Sequence, residues 1–347
     1  MMQGARGERT APIAVTMGEP AGIGGEIALL AWIRRTPETP PFFLIDDPDR
    51  LRKLAADIGL AARIERISQP GEAAAAFDRA VPVLPLDTAV AATAGKPAPA
   101  NARAVVRSID RAADLAMAGD ACAMVTNPIH KTTLYDAGFG HPGHTEYLAD
   151  RAGLATAPVM MLACAELRVV PVTIHLALKD ALTKLSADGI AHCGRVTAAA
   201  LARDFGVAAP RLSVAGLNPH AGEDGHLGRE EIDIIAPAIA RLRSEGVNVA
   251  GPYPADTLFH AAARRTYDAV LCMYHDQALI PLKTIDFDGG VNTTLGLPFV
   301  RTSPDHGTAF DIAGTGRANP TSFVAALHMA ARMAAHRRAA GADRCVA

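Results

Sequence analysis

The sequence is short of the features that mark several classes of protein. Among its 347 residues, 34 Lys and Arg nearly balance 36 Asp and Glu, which leaves a formal net charge of -2. A chain this close to neutral has no general electrostatic attraction for nucleic acid or for an anionic membrane surface. We therefore expect neither as a partner, and a few local cations must bind any anionic substrate.

Long apolar runs are also missing. The longest, Ile27 to Ile33 and Val159 to Ala165, are far shorter than the roughly 20 residues that a membrane span needs. The first twelve residues include arginines but lack the apolar core of a secretory signal, so we interpret them as a frayed tail. These absences predict a cytoplasmic protein without a membrane anchor.

The five cysteines are scattered, odd in number and never in C-x-x-C spacing. This pattern is typical of a reducing compartment. Cys122, Cys164 and Cys272 lie in apolar, strand-like surroundings. They are therefore predicted to be small buried hydrophobic residues rather than nucleophiles or zinc ligands.

Short apolar runs alternate with helical patterns along the chain, which indicates an α/β protein. The length favours two packed domains over one. The first run is followed by a glycine-rich turn, Met17 to Gly25, and then by a helix. Such a turn can bind an anion or a cofactor, but it lacks the G-x-G-x-x-G spacing of the dinucleotide fingerprint, and a plain strand-to-helix turn fits equally well.

Three apolar runs each lead to a histidine at or just past their carboxyl ends, namely His175, His220 and His275. A single histidine in such a place is more often a satisfied core or turn residue. Three equivalent placements favour a divalent metal site, because neutral imidazoles from neighbouring strand ends can share one ion. The wide spacing along the chain does not by itself give their distances.

Two further segments place polar residues in loops. The strand Ala121 to Val125 is followed by a glycine- and proline-rich segment that contains His144, which is either substrate-binding or incidental to a turn. A rigid loop, Gly251 to Thr257, presents Asp256, either as a site residue or as a helix N-cap. The stretch from Val270 to Phe323 is the densest in such residues.

Several long segments resemble the 4-hydroxythreonine-4-phosphate dehydrogenase family, the oxidoreductases of pyridoxal phosphate biosynthesis. The resemblance extends from about the first strand to the last helix, and only the short tails lie outside it. It rests on MGEPAGIG at Met17 to Gly24, VTNPIHK at Val125 to Lys131, GHTEYL at Gly143 to Leu148, LNPHAGEDGHLGREE at Leu217 to Glu231, PADTLF at Pro254 to Phe259, and the stretch from Cys272 to Phe323.

This resemblance implies two α/β/α domains with a cleft between them, as in the isocitrate and isopropylmalate dehydrogenases. Residues 1–132 with 282–347 would form a discontinuous cofactor-binding domain. Residues 133–281 would form the metal, substrate and dimerisation domain. The resemblance also implies a homodimer whose active site is shared across the interface.

The resemblance assigns residues to each ligand. It implies one divalent metal, zinc or else magnesium or cobalt, held by His175, His220 and His275. The implied substrate-binding residues are His144, Thr145, Lys283, Asn292 and Arg301. NAD or NADP would be bound by the segment that contains His306, Gly307, Asp311 and Asn319, which is similar to the cofactor loop of the isocitrate and isopropylmalate dehydrogenases.

The expected reaction is oxidation of the C3 hydroxyl of 4-hydroxythreonine 4-phosphate to 2-amino-3-oxo-4-phosphooxybutanoate, which decarboxylates to 3-amino-2-oxopropyl phosphate. Asp256 and a metal-bound hydroxide are candidates for the general base. The closest alternative is a related dehydrogenase for threonate or erythronate 4-phosphate or for an aromatic dihydrodiol carboxylate. A metal-dependent hydrolase and a catalytically silent dinucleotide-binding module are alternatives of another class.

Overall fold

The computed structural model describes residues 11–344, without the side chains of residues 342–344. Most of the predicted frayed tail, and Cys345, lie outside these residues. The strands are β1 (Ile13–Thr16), β2 (Phe42–Asp46), β3 (Ile64–Arg66), β4 (Val81–Pro85), β5 (Ala123–Val125), β6 (Val159–Ala163), β7 (Arg168–Pro171), β8 (Leu212–Ala215), β9 (Val249–Tyr253), β10 (Ala269–Cys272), β11 (Val291–Leu295) and β12 (Arg301–Pro304).

Helices alternate with these strands, as the predicted α/β class requires. They are α1 (Gly24–Ile33), α2 (Pro48–Asp57), α3 (Ala73–Phe77), α4 (Ala102–Ala118), α5 (Lys131–Asp136), α6 (His144–Arg151), α7 (Leu178–Lys184), α8 (Ala187–Phe205), α9 (Ala236–Ser244), α10 (Ala261–Arg264), α11 (His275–Ile285) and α12 (Thr321–Arg344). Within residues 11–344, no helix is long and apolar enough to cross a bilayer.

The chain divides into two compact units. Among the described residues, the first unit comprises residues 11–148 together with Pro298–Ala334. Its strands lie in the order β3-β4-β2-β1-β5-β12, and all of its pairings are parallel. Phe42 is fully buried and packs edge-on against Phe77 and Phe323, so the core of this unit combines strands from one end of the chain with α12 from the other.

The second unit comprises Ala149–Leu297 and, of the described residues, 335–344. Its strands lie in the order β11-β6-β7-β10-β8-β9, with β6 antiparallel to both of its neighbours and the other pairings parallel. The parallel strands β7, β10 and β8 are adjacent, so their carboxyl ends meet at one edge of the sheet. This edge is where ligands bind in open α/β sheets.

The unit boundaries differ from those predicted. The chain leaves the first unit after Leu148 rather than after residue 132, because α6 is held to α4 by a hydrogen bond from Tyr147 Oη to Asp110 Oδ1 (2.5 Å). It returns at Pro298 rather than at residue 282, because β11 pairs along its whole length with β6. The chain therefore completes α11 and β11 before it leaves the second unit.

Three local features follow from the residues at those positions. Helix α4 ends on Gly119 in the left-handed conformation (φ 81°), which a glycine adopts without steric cost. A π-helical turn over Glu231–Ile235 precedes α9, which has Pro237 in its first turn. Cys272 is fully buried, and burial raises the pKa of its thiol, which confirms its interpretation as a hydrophobic core residue.

Candidate active site

In the second unit, the three predicted metal-binding histidines follow three adjacent strands. His175 follows β7, His220 follows β8 and His275 begins α11 directly after β10. Gln277 links two of these strand ends, because its side chain accepts from Met273 N (2.6 Å) and donates to Gly216 O (2.7 Å). The parallel pairing thus delivers all three histidines to one edge of this sheet.

Two of the histidines lie next to each other. The ring centroids of His175 and His275 are 6.1 Å apart, and the rings are tilted by 41°. Together with Thr173, Tyr274 and Asp276 they line a pocket of about 270 Å³. His275 Nδ1 lies 2.7 Å from Asp276 Oδ1. A carboxylate on Nδ1 fixes the imidazole tautomer and leaves Nε2 available to a metal ion.

His175 and His220 share an unusual backbone conformation, since both have φ of 52°. A residue with a side chain in this left-handed region costs roughly 1–2 kcal/mol. His220 opens a run of such residues within the 3₁₀ turn Pro219–Gly225. Strain of this kind is concentrated at functional sites, where surrounding contacts hold it in place.

These histidines fit a metal ion only in part. Two imidazoles on one ion, with metal–nitrogen distances of about 2 Å, place their ring centres roughly 5–6 Å apart, so the spacing of His175 and His275 is compatible. As the side chains stand in the described part of the chain, no three His, Cys, Asp or Glu residues are grouped closely enough to hold an ion. The structure therefore brings together His175 and His275 but does not complete the predicted set with His220.

The other residues predicted for the site in this unit lie on three different elements. Lys283 lies in the last turn of α11, with its Nζ 5.2 Å from the centroid of the Phe287 ring. Asn292 is on β11, where its Oδ1 is buried without a hydrogen-bond partner among the described residues. Asp256 is exposed in the 3₁₀ turn Ala255–Thr257 and does not cap α10, whose N-cap is His260.

In the first unit, the buried side chain of Arg301 acts electrostatically on the half-buried His144. Arg301 is 4% exposed, and its Nε and Nη2 donate to Thr126 Oγ1 at 3.1 and 2.7 Å. Burial lowers the pKa of its guanidinium to about 10, while Glu146 opposes the shift. A pKa of about 10 keeps Arg301 charged near neutral pH. Burial, and then the charges of Arg301 and Lys131, hold the pKa of His144 well below its usual value, so its imidazole is neutral.

The surroundings of this pair suit an anion. The Nε2 atom of His144 is buried without a partner among the described residues, as is Oδ1 of Asn127. Lys131 begins α5 and acts electrostatically on His144, although sequence reasoning did not single it out. Thr145 is half-buried in the first turn of α6. Two cations and a neutral imidazole make a group that can bind a phosphate.

The predicted cofactor loop packs against the glycine-rich turn of the same unit. The buried carboxylate of Glu26, in α1, accepts from Gly314 N and Ala318 N, both at 3.0 Å. Ile23 N donates to Thr308 O (3.1 Å). A Cβ atom on Gly22 would lie only 2.9 Å from that same oxygen, so glycine is needed for this close approach.

The four residues predicted to bind the cofactor all lie on this segment. His306 Nδ1 is 3.0 Å from Gly307 O, and Asp311 is exposed. Asn319 Oδ1 accepts from Thr321 N (3.1 Å) at the start of α12. A dinucleotide would bind through a loop that Glu26 holds in shape.

Sequence reasoning missed Glu26, Lys131, Glu231 and Gln277 as candidate site residues. All but Lys131 are buried polar side chains that hold backbone groups. The sequence did offer one signal, which is a carboxylate or amide side chain within an otherwise apolar pattern. Such a side chain is expected to be buried, and a buried polar group needs hydrogen-bond partners. Glu26 carried that signal, standing directly before the apolar run of α1.

The family model for the pyridoxal phosphate biosynthetic protein PdxA matches residues 38–330. This match covers well over half of the chain. The chain belongs to the PdxA family. Membership confirms the family predicted from the motifs, and His175, His220, His275 and Arg301 all fall within the matched range.

Individual relatives of this PdxA-family chain agree with the assignment. It is 53% identical over 336 residues to the 4-hydroxythreonine-4-phosphate dehydrogenase of Bradyrhizobium diazoefficiens, which covers 93% of this chain and 97% of the relative. Its structure is similar to that of the 4-hydroxythreonine-4-phosphate dehydrogenase of Klebsiella pneumoniae (TM-score 0.84, 40% identity, 93% of this chain and 99% of the other). A more distant similarity is to a terephthalate 1,2-cis-dihydrodiol dehydrogenase from Burkholderia xenovorans LB400 (TM-score 0.62, 28% identity, 93% and 98%).

Proposed function

We propose that this chain is a 4-hydroxythreonine-4-phosphate dehydrogenase. It oxidises the C3 hydroxyl of 4-hydroxythreonine 4-phosphate with NAD or NADP to 2-amino-3-oxo-4-phosphooxybutanoate, and that β-keto acid decarboxylates to 3-amino-2-oxopropyl phosphate. The observation that carries the proposal is the 53% identity, over almost the whole of both chains, to a relative with this name. The buried cation beside a neutral imidazole in the first unit supports a phosphorylated substrate.

In this proposal, His144, Thr145 and Arg301 bind the substrate together with Lys283 and Asn292. Arg301 donates from a planar fork to the phosphate oxygens and Lys283 contributes a point charge. Lys131 adds a third cation. Because His144 is neutral, it can donate one hydrogen bond and accept another.

His175, His220 and His275 would hold the divalent metal, and Asp276 would orient His275. The donor set is all imidazole, which suits zinc or cobalt better than magnesium. When bound, the metal supplies Lewis acidity to the C3 hydroxyl and the nicotinamide accepts the hydride. Asp256 stays a predicted general base, and its exposure leaves it accessible to substrate.

The NAD or NADP would bind through the loop of His306, Gly307, Asp311 and Asn319. The support is the anchoring of that loop: Glu26 satisfies two of its backbone amides, so the loop is pre-formed. A pre-formed loop binds a dinucleotide without the cost of ordering a flexible segment.

We further propose that the chain forms a homodimer with an active site shared across the interface. The support is the number of large apolar side chains that the second unit exposes. Among the described residues, most of the large ones belong to the second unit: Leu176, Leu178, Leu182, Leu227, Ile232, Tyr253, Ile280 and Phe287. Leu176 and Leu178 also line the pocket of His175 and His275.

Direct turnover tests the proposed function. The metal-loaded protein is mixed with NAD or NADP and, in parallel, with 4-hydroxythreonine 4-phosphate, threonate 4-phosphate, or a cis-dihydrodiol of an aromatic carboxylate. We expect reduced nicotinamide to appear with the first substrate at a kcat/KM well above the other two. Turnover of the dihydrodiol alone would instead favour the activity named for the Burkholderia xenovorans relative, and the absence of reduced nicotinamide with all three would reject a dehydrogenase.

A further inference from the structure

The turn that carries His220 is built from residues in a conformation that side chains normally avoid. From His220 to Asp224 five successive residues have φ between 43° and 80°. Only one of the five, Gly222, is a glycine. L-residues usually adopt left-handed geometry one at a time, so a run of this length relaxes unless other groups hold it.

One side chain holds the residues directly before this run. Glu231 Oε1 accepts from Leu217 N (2.7 Å) and Asn218 N (2.8 Å), and Oε2 accepts from Asn218 Nδ2 (2.9 Å). The glutamate is 4% exposed although it carries a carboxylate. Its burial is tolerable because both oxygens are hydrogen-bonded.

The same carboxylate also fills the inside of the turn. A Cβ atom on Gly222 would lie 2.6 Å from Glu231 Oε2, so the turn closes directly over the carboxylate. On the other side, a Cβ on Gly228 would lie 2.3 Å from Asn218 Nδ2, which leaves Asn218 little freedom to move. Glu231 therefore contacts the turn both before and within its left-handed run.

We infer that Glu231 is a positioning residue for His220: it holds the strained turn that carries this imidazole. The inference rests on the proposed function, which makes His220 a metal ligand. Loss of the carboxylate would free the amides of Leu217 and Asn218 and let the turn relax. Removing a group that orients a metal ligand typically weakens metal binding about 10- to 100-fold.

A glutamine at position 231 can replace only some of the hydrogen bonds that the Glu231 carboxylate accepts. In Glu231→Gln, one oxygen remains to accept from the two backbone amides, but the new NH₂ group faces the NH₂ group of Asn218. Two donors repel where a donor and an acceptor attracted each other. The Gln variant should therefore keep part of the effect and the Ala variant none of it.

The experiment measures the affinity for Co²⁺ alone, by calorimetry and by the cobalt d–d absorption spectrum. The variants are Glu231→Ala, Glu231→Gln, His220→Ala and the double variant with both alanines. Glu230→Ala is the matched control, because this neighbouring glutamate also accepts from Asn218 Nδ2 but from no backbone amide at the turn. Asp204→Asn controls for destabilisation, since Asp204 is a fully buried acid of the same unit that binds Arg203 and Arg337 instead.

We expect Glu231→Ala to weaken Co²⁺ binding 10- to 100-fold and to change the d–d spectrum, with Glu231→Gln in between and both controls near the parent. In the His220→Ala background, Glu231→Ala should cause no further loss, because its effect runs through that imidazole. A parent-like affinity for Glu231→Ala and Glu231→Gln, or an additive loss in the double variant, overturns the inference. A parent that binds no Co²⁺, or binds it equally well without His220, rejects the proposed metal site as well.

Discussion

Arg301 is a buried cation of the first unit, and its role can be separated from general stability. We expect Arg301→Ala to raise the KM for the phosphorylated substrate by about 10- to 150-fold, because a hydrogen bond to a charged group contributes about 1.5–3 kcal/mol and each 1.4 kcal/mol is tenfold. The KM for NAD should change little. Steady-state kinetics with each substrate varied in turn provide the measurement.

Arg301→Lys serves as the matched comparison. It keeps the charge but loses the planar fork that donates to Thr126 Oγ1 and, in the proposal, to the phosphate. Its KM should therefore lie between those of the parent and of Arg301→Ala. An unchanged KM for the phosphorylated substrate in Arg301→Ala would remove this residue from the phosphate site.

The lowered pKa of His144 predicts that the free energy of unfolding depends on pH. Its folded-state pKa is held well below the usual value by burial and then by Arg301 and Lys131, whereas in the unfolded chain it titrates near 6.5. Below about pH 6.5 the unfolded state binds the extra proton, so the free energy of unfolding falls as pH falls from there toward the folded-state pKa. The slope from this one group is at most about 1.4 kcal/mol per pH unit.

The measurement is urea unfolding of the parent and of His144→Asn over a series of pH values on both sides of about 6.5. The difference between the two curves isolates His144, because other groups such as His328, whose pKa is also lowered, are present in both proteins. We expect the parent to lose more stability than the variant as pH falls. Parallel curves would mean that His144 is protonated as readily in the folded chain as in the unfolded one.

At the scale of elements, the cofactor loop depends on helix α1 through Glu26. We expect Glu26→Ala to raise the KM for NAD or NADP by about tenfold or more, because two amides of the loop lose charged acceptors and the loop becomes mobile. The KM for the phosphorylated substrate should stay near that of the parent. Glu26→Gln, which keeps the shape and one acceptor, should have a smaller effect. Equal increases in both KM values would indicate general damage rather than loss of the loop.

The sequence pattern predicted where the strands before the three histidines end, but it did not predict the helix and strand that follow His275. The buried runs before His175, His220 and His275 are continuous and apolar, so their ends could be predicted, and the structure places β7, β8 and β10 there. Helix α11 and strand β11 were missed. The helix contains Pro281, and the strand is rich in threonines that are buried only because the sheet covers them.

The contacts inside the candidate site could not be predicted, because they join residues far apart in the chain. Arg301 meets Thr126 across 175 positions, and Glu26 meets Ala318 across 292. The pairing of β12 with β5 brings the first two residues together, and the contact of the turn after β1 with the cofactor loop brings the other two together. Local patterns identify residue types for a site, whereas the strand order of the fold decides which of them meet.

At the scale of the whole molecule, the proposed homodimer with shared active sites makes a prediction that no monomer could fulfil. His220→Ala and His275→Ala should each be inactive alone, because each lacks one proposed metal ligand. If a site takes these two ligands from different copies, a mixed dimer of the variants contains one site with both histidines intact and one with neither.

Mixing the two variants after reversible dissociation should therefore restore roughly a quarter of the parent activity, since half of the dimers are mixed and half of their sites are intact. Sedimentation before and after mixing shows whether the copies associate and exchange. The control is the double variant with both substitutions on one chain. Taken through the same dissociation and reassociation, it should stay inactive. Dimers that exchange freely yet stay inactive would place both histidines of each site on a single copy, and sedimentation as a monomer would reject the shared site itself.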